Sequence, residues 1–433
     1  MKKLPGNLSA AVLILLLIHS VAYAFNLPDT GQTLCYNTYE QVISCAGTGQ
    51  DGEFSIHPLS LSYTDNGDYT VTDNNTGLMW EKCTIGQTNN PTPCSGTGTI
   101  YYPGNPDPTV CSSRTTGGYG GWRTPSKKEL ITIVDYSVPS PGPAIMASYF
   151  PNTQEGFYCS STTYVGAPAS GWFIDFSSGG VYNGSYQGDS CWLRCVRDVQ
   201  PPPPQSFHDN SDLTVTDQKT GLMWQKCSAG QTNNDCSGGT AMLYTWTDAL
   251  SYCNNFVLPS SGGYADWRLP NIKELESITD DTKSTRIDPA IFPHTQSSSY
   301  RTSTTAVSGG QEWGYAWGLD FNYGSVNNLS EVNGSFYVRC VRGLGYFVRL
   351  LHGTGVNPYT TFLDAYSAAL DGDTIEAQTV VSTENVTCDS TSGIHVWLKG
   401  GYDSGFTSNT GFTTIGSLTI SGGSVTAENL IMQ

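Results

Sequence analysis

The 433 residues carry 20 Lys and Arg against 37 Asp and Glu, a formal net charge of −17, with 48 glycines, 25 tyrosines and 10 tryptophans. That balance argues against nucleic acid as a partner, because nothing offsets phosphate repulsion. With only 13% of residues charged, the composition suits a β-rich, loop-heavy fold rather than a helical bundle.

The chain begins with an export signal at 1–24. Lys2 and Lys3 precede an apolar run at 10–18, and Ala22, Tyr23 and Ala24 form a small-residue cleavage site. The run falls short of the roughly 20 residues that span a bilayer, and no later segment is apolar enough to cross one. The mature chain is expected to be soluble and outside the cytoplasm, secreted or at the cell surface, in the periplasm or beyond. All 13 cysteines follow the signal, so they read as structural disulfides of an oxidising compartment. The first two, Cys35–Cys45, would staple an N-terminal segment at 25–54.

Beyond it the sequence repeats. DNGDYTVTDNNTGLMWEKC (65–83) returns as DNSDLTVTDQKTGLMWQKC (209–227), and GGYGGWRTPSKKEL (117–130) as GGYADWRLPNIKEL (262–275). GWFIDF (171–176) matches AWGLDF (316–321), and LRCVR (193–197) matches VRCVR (338–342). The offset is 144 residues at the start and 145 afterwards. Two homologous domains are predicted, 55–199 and 206–344. The linker at 200–205 holds four prolines, a stiff spacer rather than a hinge.

Comparing the copies pairs the cysteines. Cys83, Cys94, Cys111 and Cys195 recur as Cys227, Cys236, Cys253 and Cys340. Cys159 and Cys191 occur in copy one alone, where copy two has Arg301 and Phe336, and their joint absence predicts a Cys159–Cys191 bridge. For the shared four we expect local bridges (Cys83–Cys94, Cys227–Cys236) and long ones (Cys111–Cys195, Cys253–Cys340). Cys388 is left over. Without a C-x-x-C pair, metal–thiolate sites are not expected.

In copy two, 244–256 reads as an amphipathic helix with Trp246, Leu250 and Cys253 on one face. Asn271 caps a second helix, Glu274 completing a capping-box pattern. Alternating Trp317, Leu319 and Phe321 mark late strands. The first helix is expected to be lost in copy one, where 101–111 holds three prolines. Each copy is therefore predicted as α+β, helices early and strands late. Trp80, Trp122, Trp224 and Trp267 read as core, and Arg123 and Arg268 as structural pairs.

TGLMW…K, DWRLP..KEL, W..DF and RCVR, in that order and twice over, resemble the Lcl C-terminal domain family, a domain of unknown function named for a Legionella collagen-like adhesin. The resemblance covers both repeats, about two-thirds of the chain. The arrangement is also similar to sulfatase-modifying and C-type-lectin-like folds, in which an early-helix cysteine bridges the last strand, in agreement with Cys253–Cys340. It implies two tandem disulfide-bonded lectin-like domains with a role in extracellular adhesion or glycan binding. The tail, 345–433, reads as a short helix over 359–370 and then glycine-punctuated β-turns. It resembles the cap and first rungs of a parallel β-helix, and its apolar Leu430, Ile431 and Met432 would invite self-association through an open edge.

Two sets of residues are candidates for chemistry. Asp65, Asp68 and Asp73, with Asp209, Asp212 and Asp217, could ligate Ca²⁺, or be Asx-rich turns entering a strand. Trp313 and Tyr315, in a Gly-rich loop, could stack on a sugar, with Asn322, Asn327 and Asn328 supplying hydrogen bonds. No G-x-S-x-G, H-E-x-x-H or Walker A motif occurs, and no glycine-rich fingerprint set in a strand–helix unit. The sequence thus points to a non-enzymatic binding or adhesion protein with a glycan or other surface ligand. The alternatives are a structural component assembling through its tail and a secreted enzyme of unknown type.

Overall fold

The computed structural model describes residues 27–54, 60–88, 93–101, 109–167, 170–185, 190–199, 205–258, 264, 266–307, 314–331, 334–343, 348–353, 355–359, 361–379, 384–390, 393–402, 406 and 408–432. The segment read as an export signal, 1–24, and the linker prolines lie outside these residues. Copy one runs β1 (Tyr63–Asp65), β2 (Thr70–Asp73), β3 (Leu78–Glu81), α1 (Thr109–Ser112), α2 (Lys127–Thr132), β4 (Phe157–Thr163), β5 (Ser170–Asp175), β6 (Gly180–Ser185) and β7 (Val196–Asp198). Copy two repeats the order as β8 (Phe207–Asp209), β9 (Thr214–Asp217), β10 (Met223–Gln225), α3 (Trp246–Asn254), α4 (Ile272–Ser277), β11 (Ser299–Ala306), β12 (Tyr315–Asp320), β13 (Val326–Ser330) and β14 (Val341–Arg342).

In each copy three early strands and the last one make a four-stranded antiparallel sheet, β1-β2-β3-β7 and β8-β9-β10-β14. The repeated motifs build this frame. Trp80 and Trp224 are fully buried. Arg194, from the first RCVR run, is buried and donates to the Glu81 and Lys82 carbonyls and to Thr153 Oγ1, while stacking on Phe150. Arg339 does the same with Gln225, Lys226, Thr295 and Phe292. Each guanidinium thus closes the frame by tying the last strand's motif to two carbonyls at the end of the third strand. All six expected cysteine pairs are bonded.

One helix expectation needs correcting. A single turn, α1, survives where the prolines were expected to abolish the helix. The last proline, Pro108, immediately precedes Thr109, a position where a missing N–H costs a helix little. The turn suffices to place Cys111 against Cys195. Residues 102–108 lie outside the described set.

The two copies are also not separate bodies on a spacer. β4, β5, β6 and their counterparts join as one antiparallel sheet in the order β11-β12-β13-β6-β5-β4. The junction is Val326 opposite Val181, residues one repeat offset apart and both fully buried. A strand pairing antiparallel with its own counterpart makes the chain an internal two-fold dimer. Contacts between α2 and α4 obey the same symmetry: Lys128 Nζ donates to the Ser277 carbonyl, and its counterpart Lys273 donates to the Thr132 carbonyl, the counterpart position. One apolar core runs through both copies, with Trp172, Val181, Trp317 and Val326 among its members. Buried on both sides, β5 and β12 lose the one-face alternation of a half-exposed strand.

The N-terminal segment locks this junction. Gln32 bridges the copies, its Nε2 donating to the Tyr136 and Thr305 carbonyls while its Oε1 accepts from Thr305 N. Asp51 Oδ2 accepts from Thr30 Oγ1 at 2.8 Å and Thr304 Oγ1 at 2.7 Å. Burial, with Asp29 nearby, pushes the Asp51 carboxyl up to about 8, and burial pushes Asp29 up to about 6. Raised carboxyls favour the folded state when protonated. Their contribution is complete below the ordinary carboxylate range and is lost as pH rises through about 6 and then about 8. Unfolding free energy measured by urea titration should therefore fall between about pH 4 and pH 8, and level off above. D51N, which keeps an acceptor without the charge, should flatten the upper part of that fall.

The tail runs β15 (Val348–His352), β16 (Gly355–Tyr359), α5 (Phe362–Ala368), β17 (Thr374–Gln378), β18 (Asn385–Asp389), β19 (His395–Tyr402), β20 (Thr413–Ile415), β21 (Ser417–Gly422), β22 (Ser424–Glu428) and β23 (Leu430–Met432). After an antiparallel start, successive passes pair in parallel: β17-β19-β22, β18-β21 and β20-β23. It has its own core of Val348, Leu350, Phe362, Ile375, Val386, Leu398 and Ile415.

Candidate binding groove

The four proposed sugar contacts that the structure describes do not come together. Trp313 lies outside the described residues. Tyr315 is not on a loop: it opens β12, with its backbone opposite Ala306 and Ser330. Asn322 sits in the turn beyond the other end of that strand. Asn327 and Asn328, on β13, face Gly318 and Trp317 in register. The glycines suggested a loop, yet Gly318 is a strand residue. A Cβ there would run into the Leu329 side chain and the Tyr300 carbonyl, 2.8 Å away.

The aspartates behave as turn formers. Asp65 accepts from Gly67 N and pairs with Lys82, and Asp68 accepts from Thr70 N and Oγ1. Asp73 is buried and accepts from Asn75 N and Thr76 N. Asp209, Asp212 and Asp217 repeat this with Ser211 and Lys226, Thr214, and Lys219 and Thr220. The reason is register: Asp73 stands opposite Tyr63 while Asp65 stands opposite Val71, so the carboxylates do not converge. Among the described residues no group of three or more His, Cys, Asp and Glu could hold a metal ion. The Ca²⁺ reading of these six therefore gives way to Asx turns.

What the fold does assemble is a groove of about 370 Å³ where the copies meet, lined by Tyr136, Val138, Ser140, Pro141 and Ser178 of copy one and Ala306, Val307, Trp317 and Asn328 of copy two. Each part is held. The Tyr136 hydroxyl donates to the Gly179 carbonyl at 3.0 Å, and its ring meets Trp317 edge to face at 5.4 Å. Ser140 N donates to the Val307 carbonyl across the copies at 3.0 Å. Ser178 Oγ donates to Asp175 Oδ2. Asn328 pairs through its backbone with Trp317, and the residue is exposed. None of the described lining residues is charged. Aromatic carbons beside hydroxyl, amide and peptide groups fit a neutral polyhydroxy ligand.

Sequence reasoning named Asn328 alone of these residues as a ligand contact, and Trp317 as a strand residue. The others carry no local signal, because half the groove comes from each copy. The described thiols offer no reactive alternative. Cys388 is unpaired and buried in the tail, and burial pushes its thiol up to about 11. So little of it is thiolate near neutrality that it is a poor nucleophile.

Comparison with known proteins adds one match. The family model described as Lcl C-terminal domain matches residues 69–197 and 213–342, one span per copy. No curated protein and no solved structure matches the chain.

Proposed function

Since the chain belongs to the Lcl C-terminal domain family, matched in both copies, we propose that it is an extracellular, non-enzymatic binding protein that takes a neutral glycan in the groove between the copies. The observation that carries this is the uncharged aromatic-and-amide lining contributed by both halves. A net charge of −17 further disfavours sulfated or otherwise polyanionic glycans. Twelve cysteines in disulfides support the extracellular setting. A C-type-lectin-like reading of each copy is supported by the long bridge from early helix to the last-strand region, Cys253–Cys340. We read the tail as the opening coils of a parallel β-helix, on the strength of its four parallel pairings.

The test is a glycan array probed with the full, disulfide-intact chain, because either copy alone carries half a groove. Neutral oligosaccharides should bind, and sulfated ones should not. N328A should weaken binding about tenfold, the worth of a lost hydrogen bond in a desolvated site, and leave the melting temperature unchanged because Asn328 is exposed. If the intact chain binds no neutral glycan, the reading fails. The rival, assembly through the tail, then gains: Ile431 and Met432 are about half exposed, 46% and 55%.

A further inference from the structure

A buried charged cluster straddles the internal two-fold, and neither the scaffold nor the groove uses it. Lys127, fully buried on α2 of copy one, places Nζ 2.7 Å from Glu276 Oε1 and 2.8 Å from Asp281 Oδ1, both of copy two. The Trp172 ring covers the amine at 4.6 Å. Glu276 is 2% exposed, and its Oε2 is buried without a hydrogen-bond partner. Burying such charges costs several kcal/mol per ion, and apolar side chains often serve packing as well or better.

The molecule contains that comparison. The symmetry-related positions of Lys127, Glu276 and Asp281 are Ile272, Ile131 and Tyr136, all three in the apolar core. Packing at this place is satisfied without charge on one side of the axis. On the other side three ionisable groups replace the apolar set together. Joint replacement also marks Cys159 and Cys191, which are bonded to each other.

We infer that Lys127 and Asp281 become joined by a side-chain amide, formed within the folded chain with Glu276 as proton carrier, which ties copy one covalently to copy two. Lys127 loses a proton across the 2.8 Å contact to Asp281, giving a neutral amine and a neutral acid. The Nζ lone pair forms a bond to Asp281 Cγ. Glu276 delivers its proton to the carboxyl oxygen and takes one from Nζ. The Cγ–O bond then breaks and the oxygen leaves as water, Glu276 returning to its starting state. The net change is ammonium plus carboxylate to amide plus water, with no oxidant or activating reagent. Burial raises the Glu276 carboxyl, so it enters as an acid, whereas the Asp281 carboxylate beside Nζ works against burial to keep Lys127 protonated until the transfer. The fixed contact supplies the proximity, and a neutral amide relieves the buried charges.

Peptide mapping tests this. Trypsin cannot cut after an acylated Lys127, so the expected product is a branched peptide joining 124–128 to 274–283, lighter than the two strands by one water. A protease site inserted at 200–205 gives a second readout: after cutting, reduction and boiling, the two halves should still run as one band. D281N should cross-link with loss of ammonia instead of water. K127R should not cross-link, and E276Q should do so at least about a hundredfold more slowly, the scale of lost acid–base assistance. The triple variant K127I/E276I/D281Y copies the apolar counterpart and should fold without the bond. Free cleavage after Lys127 in the native chain overturns the proposal, as does a bond to Glu276 or E276Q cross-linking at the native rate.

Discussion

Replacing Arg268 with alanine is expected to destabilise the protein by about 3–5 kcal/mol, the cost of stranding a buried carboxylate, whereas R123A at the counterpart position should cost about 1 kcal/mol. Both arginines hold the capping-box glutamate of the following helix. Arg268 donates Nη1 and Nη2 to Glu274 Oε2 and Oε1 at 2.6 and 2.5 Å, and Glu274 also accepts from Asn271 N at 2.8 Å. Side-chain exposure is 8% for Arg268 and 9% for Glu274, against 36% for Arg123 and 13% for Glu129. Water can replace the guanidinium at Arg123 but has little access at Arg268. Urea unfolding of the two variants, followed by tryptophan fluorescence with disulfides intact, measures the difference. Equal losses would mean that burial at Arg268 is not what gives the pair its weight.

That inequality between equivalent residues reflects how much of the molecule is legible in the chain. Trp80 and Trp224, Arg194 and Arg339, and the capping boxes of Ser126 and Asn271 occupy frames that close within one copy. Their signals are local: a buried aromatic, a helix start, a cysteine spacing. The junction is not local. Val181 and Val326 look like any strand valines, and nothing in either copy says that each will pair with its own counterpart. The groove inherits this blindness, since Tyr136 and Trp317 belong to different copies. Composition misled at Tyr315, where glycines that admit close backbone approach read as a loop. The Lys127 cluster was within reach. The comparison that pairs Cys159 with Cys191 also exposes Lys127, Glu276 and Asp281 against Ile272, Ile131 and Tyr136, once both copies are read for paired departures.

The last large effect follows from loop length. Cys111–Cys195 spans 84 residues and Cys83–Cys94 spans 11. If disulfides stabilise mainly by restricting the unfolded chain, replacing the long pair with alanines costs about 4.5 kcal/mol and the short pair about 3 kcal/mol. Cys111 and Cys195 are also fully buried, so truncating them adds the loss of packed sulfur. Urea midpoints of C111A/C195A and C83A/C94A give the comparison directly, and equal midpoints would remove loop entropy as the governing term. The shape of the transition carries a further consequence. Because the copies share one sheet and one core, damage to copy one should lower the stability of both, in a single transition. The same double substitution at Cys253 and Cys340, whose loop of 87 residues is almost as long, should therefore shift that transition by nearly the same amount. Separate transitions for the two copies would show that the Val181–Val326 junction does not couple them.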